Sequence, residues 1–137
     1  MTETLKTEAG LDARILVAED NPAVREFIER SLQSIGGQVV SVADGQRALD
    51  VLAREKFDVL VTDIVMPNVD GIALALKAVR MVPELRVVMI SGYAQERMRA
   101  HNMEALAHKI IAKPFSLEEI CQAVRDALAA PAPAPAP

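Results

Sequence analysis

The sequence predicts an α/β fold: a doubly wound (βα)5 parallel sheet of flavodoxin-like architecture, with strand order 2-1-3-4-5. Three observations predict it. Five short aliphatic runs, Ile15–Ala18, Val39–Val42, Val59–Val61, Val87–Ile90 and Ile110–Ala112, have the length and β-branched content of buried strands. Stretches with helical apolar spacing come after them, and such alternation means a parallel sheet with helices on both faces. Acidic residues end the first and third runs and can share one site only if those strands are neighbours. That pushes the second strand outward, and right-handed crossovers complete the order.

Each element has its own signal. After the first strand and Glu19-Asp20, Asn21 is a helix cap and Pro22 fits the first helical position. Val24, Phe27, Ile28, Leu32 and Ile35 share a face of that helix, and Gly36-Gly37 ends it. The second strand is weaker, and Asp44 opens a helix that turns Ala48, Val51 and Leu52 inward. The third strand stops at Asp63. Met66-Pro67 and Asn68-Val69-Asp70-Gly71 form a turn, and a helix runs from about Gly71 to Met81 with Ile72, Ala75, Leu76 and Val79 inward. Pro83 precedes the fourth strand, which ends at Ser91-Gly92. A loose helical face over 94–107 precedes the fifth, which ends at Lys113-Pro114. Ser116 and Glu119 then form a capping box for a helix placing Leu117, Ile120, Cys121, Val124 and Leu128 on one side.

These units fill residues 14–130 as one domain, with a frayed lead over 1–13 and an exposed Pro/Ala tail over 131–137. Half of the residues are hydrophobic but aromatics are few, so the core is aliphatic. The 15 Lys and Arg residues are scattered in a chain of net charge −4, which argues against nucleic acid. A lone Cys121 excludes an internal disulfide and fits a reducing compartment. The first twelve residues are too polar for a signal peptide, and no apolar run approaches the ~18 residues of a membrane span. A cytoplasmic protein is expected.

Parallel strands bring Glu19, Asp20, Asp63, Ser91 and Lys113 to one rim. Three carboxylates, a hydroxyl and an ammonium suit a hard cation and a phosphoryl group. Mg²⁺ is typically held by one or two carboxylates with phosphate oxygens and water. Asp63 is the candidate nucleophile, with Lys113 and Ser91 meeting the phosphoryl oxygens. Taken singly, each residue has a plainer role: caps for Glu19-Asp20, an Asx turn for Asp63, a turn for Ser91-Gly92, a solvated loop end for Lys113. Their convergence from four strands favours the joint reading. His101 and His108 lack metal-ligand spacing and read as surface residues, and Cys121 reads as core.

The segments Leu16-Val17-Ala18-Glu19-Asp20-Asn21, Val61-Thr62-Asp63-Ile64-Val65-Met66-Pro67 with Asp70-Gly71, Ile90-Ser91-Gly92-Tyr93-Ala94 and Lys113-Pro114-Phe115 resemble the receiver domain of bacterial response regulators, over about residues 14–130. The resemblance implies a two-component or phosphorelay protein whose Asp63 takes a phosphoryl group from a histidine kinase or histidine phosphotransfer protein. It catalyses only its own phosphorylation and dephosphorylation. Glu19, Asp20, Asp63 and the Val65 carbonyl would place Mg²⁺. Ser91 and Lys113 would contact the phosphoryl group, with Ser91 and position 110 as the switch. The family commonly carries Tyr or Phe where Ile110 stands, so the usual aromatic readout lacks its residue.

A stand-alone receiver would act by docking, through the face formed by the 94–107 element, the fifth strand and the last helix. It could be a phosphoryl shuttle or a switchable adaptor. The motifs resemble the short regulators of the CpdR type, which implies control of substrate delivery to a cytosolic AAA+ protease. The competing class is a haloacid-dehalogenase-like, Mg²⁺-dependent phosphatase with an Asp nucleophile. It needs a general acid two residues beyond Asp63, where this chain has Val65.

Overall fold

A computed structural model describes residues 10–92 and 107–130. The expected helix over 94–107 lies outside the described residues except for Ala107, as do His101 and the Pro/Ala tail. The described elements are β1 (Arg14–Ala18), α1 (Pro22–Ser34), β2 (Gln38–Val42), α2 (Gly45–Leu52), β3 (Val59–Asp63), α3 (Gly71–Met81), β4 (Arg86–Ser91), β5 (Lys109–Ala112) and α4 (Leu117–Ala129). All strand pairs are parallel, in the expected order β2-β1-β3-β4-β5.

Period-two alternation divides the core between the two faces of the sheet. Ile15, Val17, Val59, Val61, Val88 and Ile90 meet Ile28 and Leu32 of α1 and Ile120 and Val124 of α4. Leu16, Ala18 and Leu60 meet α2 and α3 on the opposite face, where Val87 and Met89 also lie. Burial is complete for most of these side chains, each removing apolar surface at roughly 25 cal/mol per Å².

The caps obey the sequence signals. Asn21 Oδ1 accepts from Ala23 and Val24 N–H, Asp44 Oδ1 from Arg47 N–H, and Asp70 Oδ1 from Ala73 N–H. Ser116 and Glu119 satisfy each other's backbone donors. At the end of α1, Gly37 N–H bonds Leu32 O and Gly36 N–H bonds Gln33 O, with Gly36 at φ +96°. That pairing is a Schellman motif, whose left-handed residue favours glycine.

Several facing assignments are corrected. Phe27 and Leu117 are 41% and 43% exposed, not core; the Phe27 ring lies 6.0 Å from that of Phe115. The most buried stripe of α3 is Leu74, Ala75 and Ala78, whereas Ile72, Leu76 and Val79 are only partly buried. Of the expected frayed lead, the last residues are docked: Leu11 N–H donates to Ile35 O at 2.7 Å and Ala13 is buried.

His108 is no plain surface residue. It is half-buried, its backbone N–H donates to Val87 O (2.8 Å), and its Nδ1 accepts from Val87 N–H (3.0 Å). The imidazole thus substitutes for a peptide carbonyl where β4 meets β5. Burial first, then the Arg86 charge, lowers the His108 pKa below 6.5. The unfolded chain therefore binds this proton more readily, and the bond's contribution, present above pH 6.5, is lost as pH falls through the folded pKa. Wild type is expected to lose melting temperature faster than His108→Ala on acidification. Parallel declines would mean that the imidazole does not sense protons.

Candidate functional site

Asp63 ends β3, and the turn behind it leaves little freedom. Gly71 N–H bonds Ile64 O at 2.7 Å, Val69 N–H bonds Pro67 O at 2.9 Å, and Asn68 sits at φ +70°. The Thr62 hydroxyl donates to Asp63 O at 2.9 Å. A Cβ on Gly71 would overlap that same carbonyl, so only glycine lets α3 start this close to the acid. Asp63 is 5% exposed, more enclosed than an open strand-end acid.

Glu19 and Asp20 diverge as β1 gives way to α1. Glu19 is fully buried and Asp20 exposed. Glu19 Oε2 accepts from Asn21 N–H at 3.0 Å, so Asn21 caps α1 with its side chain and anchors the acid with its backbone. Lys113, just beyond β5, reaches both buried acids: its Nζ is 2.7 Å from Asp63 Oδ2 and 3.1 Å from Glu19 Oε1. The second contact has ion-pair distance without hydrogen-bond alignment, which leaves Oε1 buried and otherwise unpartnered.

Burial sets the electrostatics of the rim. It pushes the Glu19 carboxyl up to about 7; the Asn21 N–H opposes the rise, the Asp63 charge adds to it, and Lys113 opposes it. Burial lowers the Lys113 pKa, but the hydrogen bond and charge of Asp63, with the charge of Glu19, outweigh it and hold the ammonium above its ordinary value.

One carboxylate oxygen each from Glu19, Asp20 and Asp63 lie within 4.8 Å of one another. This donor set, with a Glu19 oxygen that has an ion pair but no aligned hydrogen bond, fits a hard divalent cation. Val65 lies two residues past Asp63 with its side chain 52% exposed, and the turn's hydrogen bonds end on Ile64 and Pro67, not on its carbonyl. Ser91 is fully buried with no hydrogen-bond partner for Oγ, while its carbonyl accepts from Lys113 N–H at 2.8 Å. Ile110 opposes Met89, so it shares Ser91's face of the sheet, packed with Ile64 and Ala75. Every expected site residue but Ile110 therefore falls at one rim, while Ile110 lies within β5, three residues before Lys113. Sequence reasoning missed the Thr62 hydroxyl and an Arg25 guanidinium donating to Glu19 O at 2.9 Å. Neither has a spacing signal that separates it from core or helix surface.

A parallel sheet with acids at the ends of β1 and β3 and a lysine beyond β5 is the arrangement expected of a receiver domain. Over residues 15–125 the sequence matches the response regulator receiver domain, and the chain belongs to that family. It is 35% identical over 117 residues to the response regulator receiver protein CpdR of Brucella abortus (strain 2308), covering 85% of this chain and 98% of that protein. It is 34% identical over 115 residues to response regulator MprA of Mycobacterium tuberculosis (strain ATCC 25618 / H37Rv), of which it spans half. Among solved structures, response regulator TrrA of Thermotoga maritima, in complex with Mg²⁺-BeF, superposes with TM-score 0.75 at 25% identity, over 84% of this chain and 98% of that one. The phosphatase alternative finds no support: the family match is to a receiver domain, and Val65 offers no general acid. None of the described helices is long and apolar enough to cross a membrane.

Two carboxylates at this spacing repel by about 3–4 kcal/mol at an effective dielectric near 20, less where water screens them. Among the described residues no cation pairs with Asp20, whereas Asp63 and Glu19 have Lys113. Asp20→Asn is expected to raise the melting temperature in EDTA, by about 2–4 °C per kcal/mol of repulsion relieved, and to shrink the gain from added Mg²⁺. Lower melting in EDTA would mean that Asp20 has a stabilising partner.

Proposed function

We propose that this chain is a phosphoacceptor switch, phosphorylated on Asp63 by a histidine kinase or histidine phosphotransfer protein in the cytoplasm. The observation that carries the reading is the Lys113 ammonium seated between Asp63 and Glu19 at the carboxyl ends of the strands. A carboxylate oxygen of Asp63 attacks phosphorus as the P–N bond of phosphohistidine breaks, and that bond's electron pair stays on the imidazole. Lys113 then pairs with a phosphoryl oxygen instead of with Asp63 alone, and the unpartnered Ser91 hydroxyl donates to another. Glu19, Asp20, Asp63 and the Val65 carbonyl would hold Mg²⁺. The ion supplies charge neutralisation of phosphoryl oxygens.

Downstream, the phosphorylated state acts through a protein-docking face that includes β5 and α4. Ser91 and Ile110 connect that face to the site, since they share one side of adjacent strands. The match to nearly the whole of CpdR supports an adaptor that docks on another protein, and the resemblance to short regulators of that type points to protease substrate delivery. Its own phosphoryl gain and loss are the only reactions the site catalyses in this reading.

Acetyl phosphate with Mg²⁺ is expected to add one phosphoryl group at Asp63, read by mass spectrometry as a base-labile adduct. Labelling at another residue, or full labelling of Asp63→Asn, would overturn the assignment. Ser91→Ala should remain phosphorylatable while the NMR shift changes across 107–115 on loading with beryllofluoride diminish. A response as large as wild type would reduce Ser91 to a turn residue.

A further inference from the structure

Arg25 lies on α1, six residues past Glu19, and is half-buried. Its Nη1 donates to the Glu19 carbonyl at 2.9 Å. That carbonyl stands just past the end of β1, where the ladder no longer supplies it a partner. The other side of the residue is also tied: Glu19 N–H donates to Val42 O at 3.1 Å. The peptide joining Glu19 to Asp20 is therefore held from α1, between an acid that is buried and one that is exposed.

We infer that Arg25 is a positioning residue for the metal-binding acids, one that holds the Glu19–Asp20 peptide so that both carboxylates can serve a single divalent ion. The inference rests on the phosphoacceptor reading and adds a residue outside the acidic and basic groups at the rim. Among the described residues Arg25 makes no hydrogen bond or ion pair with the acid side chains; it acts through the backbone.

Charge and position predict opposite signs, which makes the role testable. A guanidinium near three carboxylates weakens cation binding by simple electrostatics, so a bystander arginine made neutral should tighten Mg²⁺ binding. A positioning arginine made neutral should loosen it. Losing one hydrogen bond of this kind is worth roughly a 3- to 10-fold rise in the Mg²⁺ dissociation constant.

The experiment is a calorimetric Mg²⁺ titration of wild type, Arg25→Gln and Arg25→Lys, each also labelled with acetyl phosphate and melted in EDTA. α1 keeps its Asn21 cap and its buried Ile28 and Leu32 in every variant, so the fold persists. Weaker Mg²⁺ binding and slower labelling in Arg25→Gln, largely restored in Arg25→Lys, are expected. Equal or tighter binding in Arg25→Gln overturns the inference, as does a Lys variant no better than Gln. Wild type that takes up neither Mg²⁺ nor phosphoryl would instead overturn the phosphoacceptor reading, and the inference with it.

Discussion

A carboxylate taken fully out of water must be compensated, and Glu19 makes that demand at the centre of the rim. Lys113 and the Asn21 N–H answer it. The geometry of the answer dictates much around it. β5 is separated from β3 by β4, and neighbouring strands lie about 4.8 Å apart, so the cation must cross about two spacings to reach Asp63. Asp63 pairs with Ile90 and Ser91 with Ala112, so Asp63 and Lys113 share the Ile90 side of the sheet. The two side chains span the gap together and meet at 2.7 Å. The chemistry of the rim and the order of the sheet are thus one constraint, satisfied together.

Most of this is legible in the sequence because buried parallel strands are nearly continuous aliphatic runs, and the residues just beyond each run must share one edge of the sheet. Asp63, Lys113 and Ser91 are readable for that reason, and so are the caps, which depend on residues within a few positions. Facing is less legible. Phe27 and Leu117 fit their helical stripes but stay largely exposed, Phe27 with its ring beside that of Phe115, a tertiary contact that periodicity does not contain. Leu74 and Ala78 escape the pattern because α3 is apolar on more than one side, so several stripes fit equally well. His108 escapes it since an imidazole accepting from a peptide N–H looks, in sequence, like any polar residue ahead of a strand.

Position 110 shows what a single aliphatic side chain changes. Ile110 fills space beside Ile64 and Met89 and carries no polar group, so it has nothing to exchange with the Ser91 hydroxyl. In the proposed switch, coupling of the rim to the sheet edge at this position would pass through packing, and cores resist small volume changes strongly. The β4–β5 pair also has its far end closed by His108, so the two strands are joined by side-chain chemistry at one end and by the Lys113–Ser91 backbone bond at the other.

The docking of Leu11 on Ile35 has a practical consequence for handling the molecule. The chain enters the sheet at the pole where α1 terminates, while Glu19, Asp63 and Lys113 gather at the other, with the length of β1 between them. A fluorophore attached at Gly10 sits at the end of the sheet away from the acids. Immobilisation through it would leave the acidic rim facing solution.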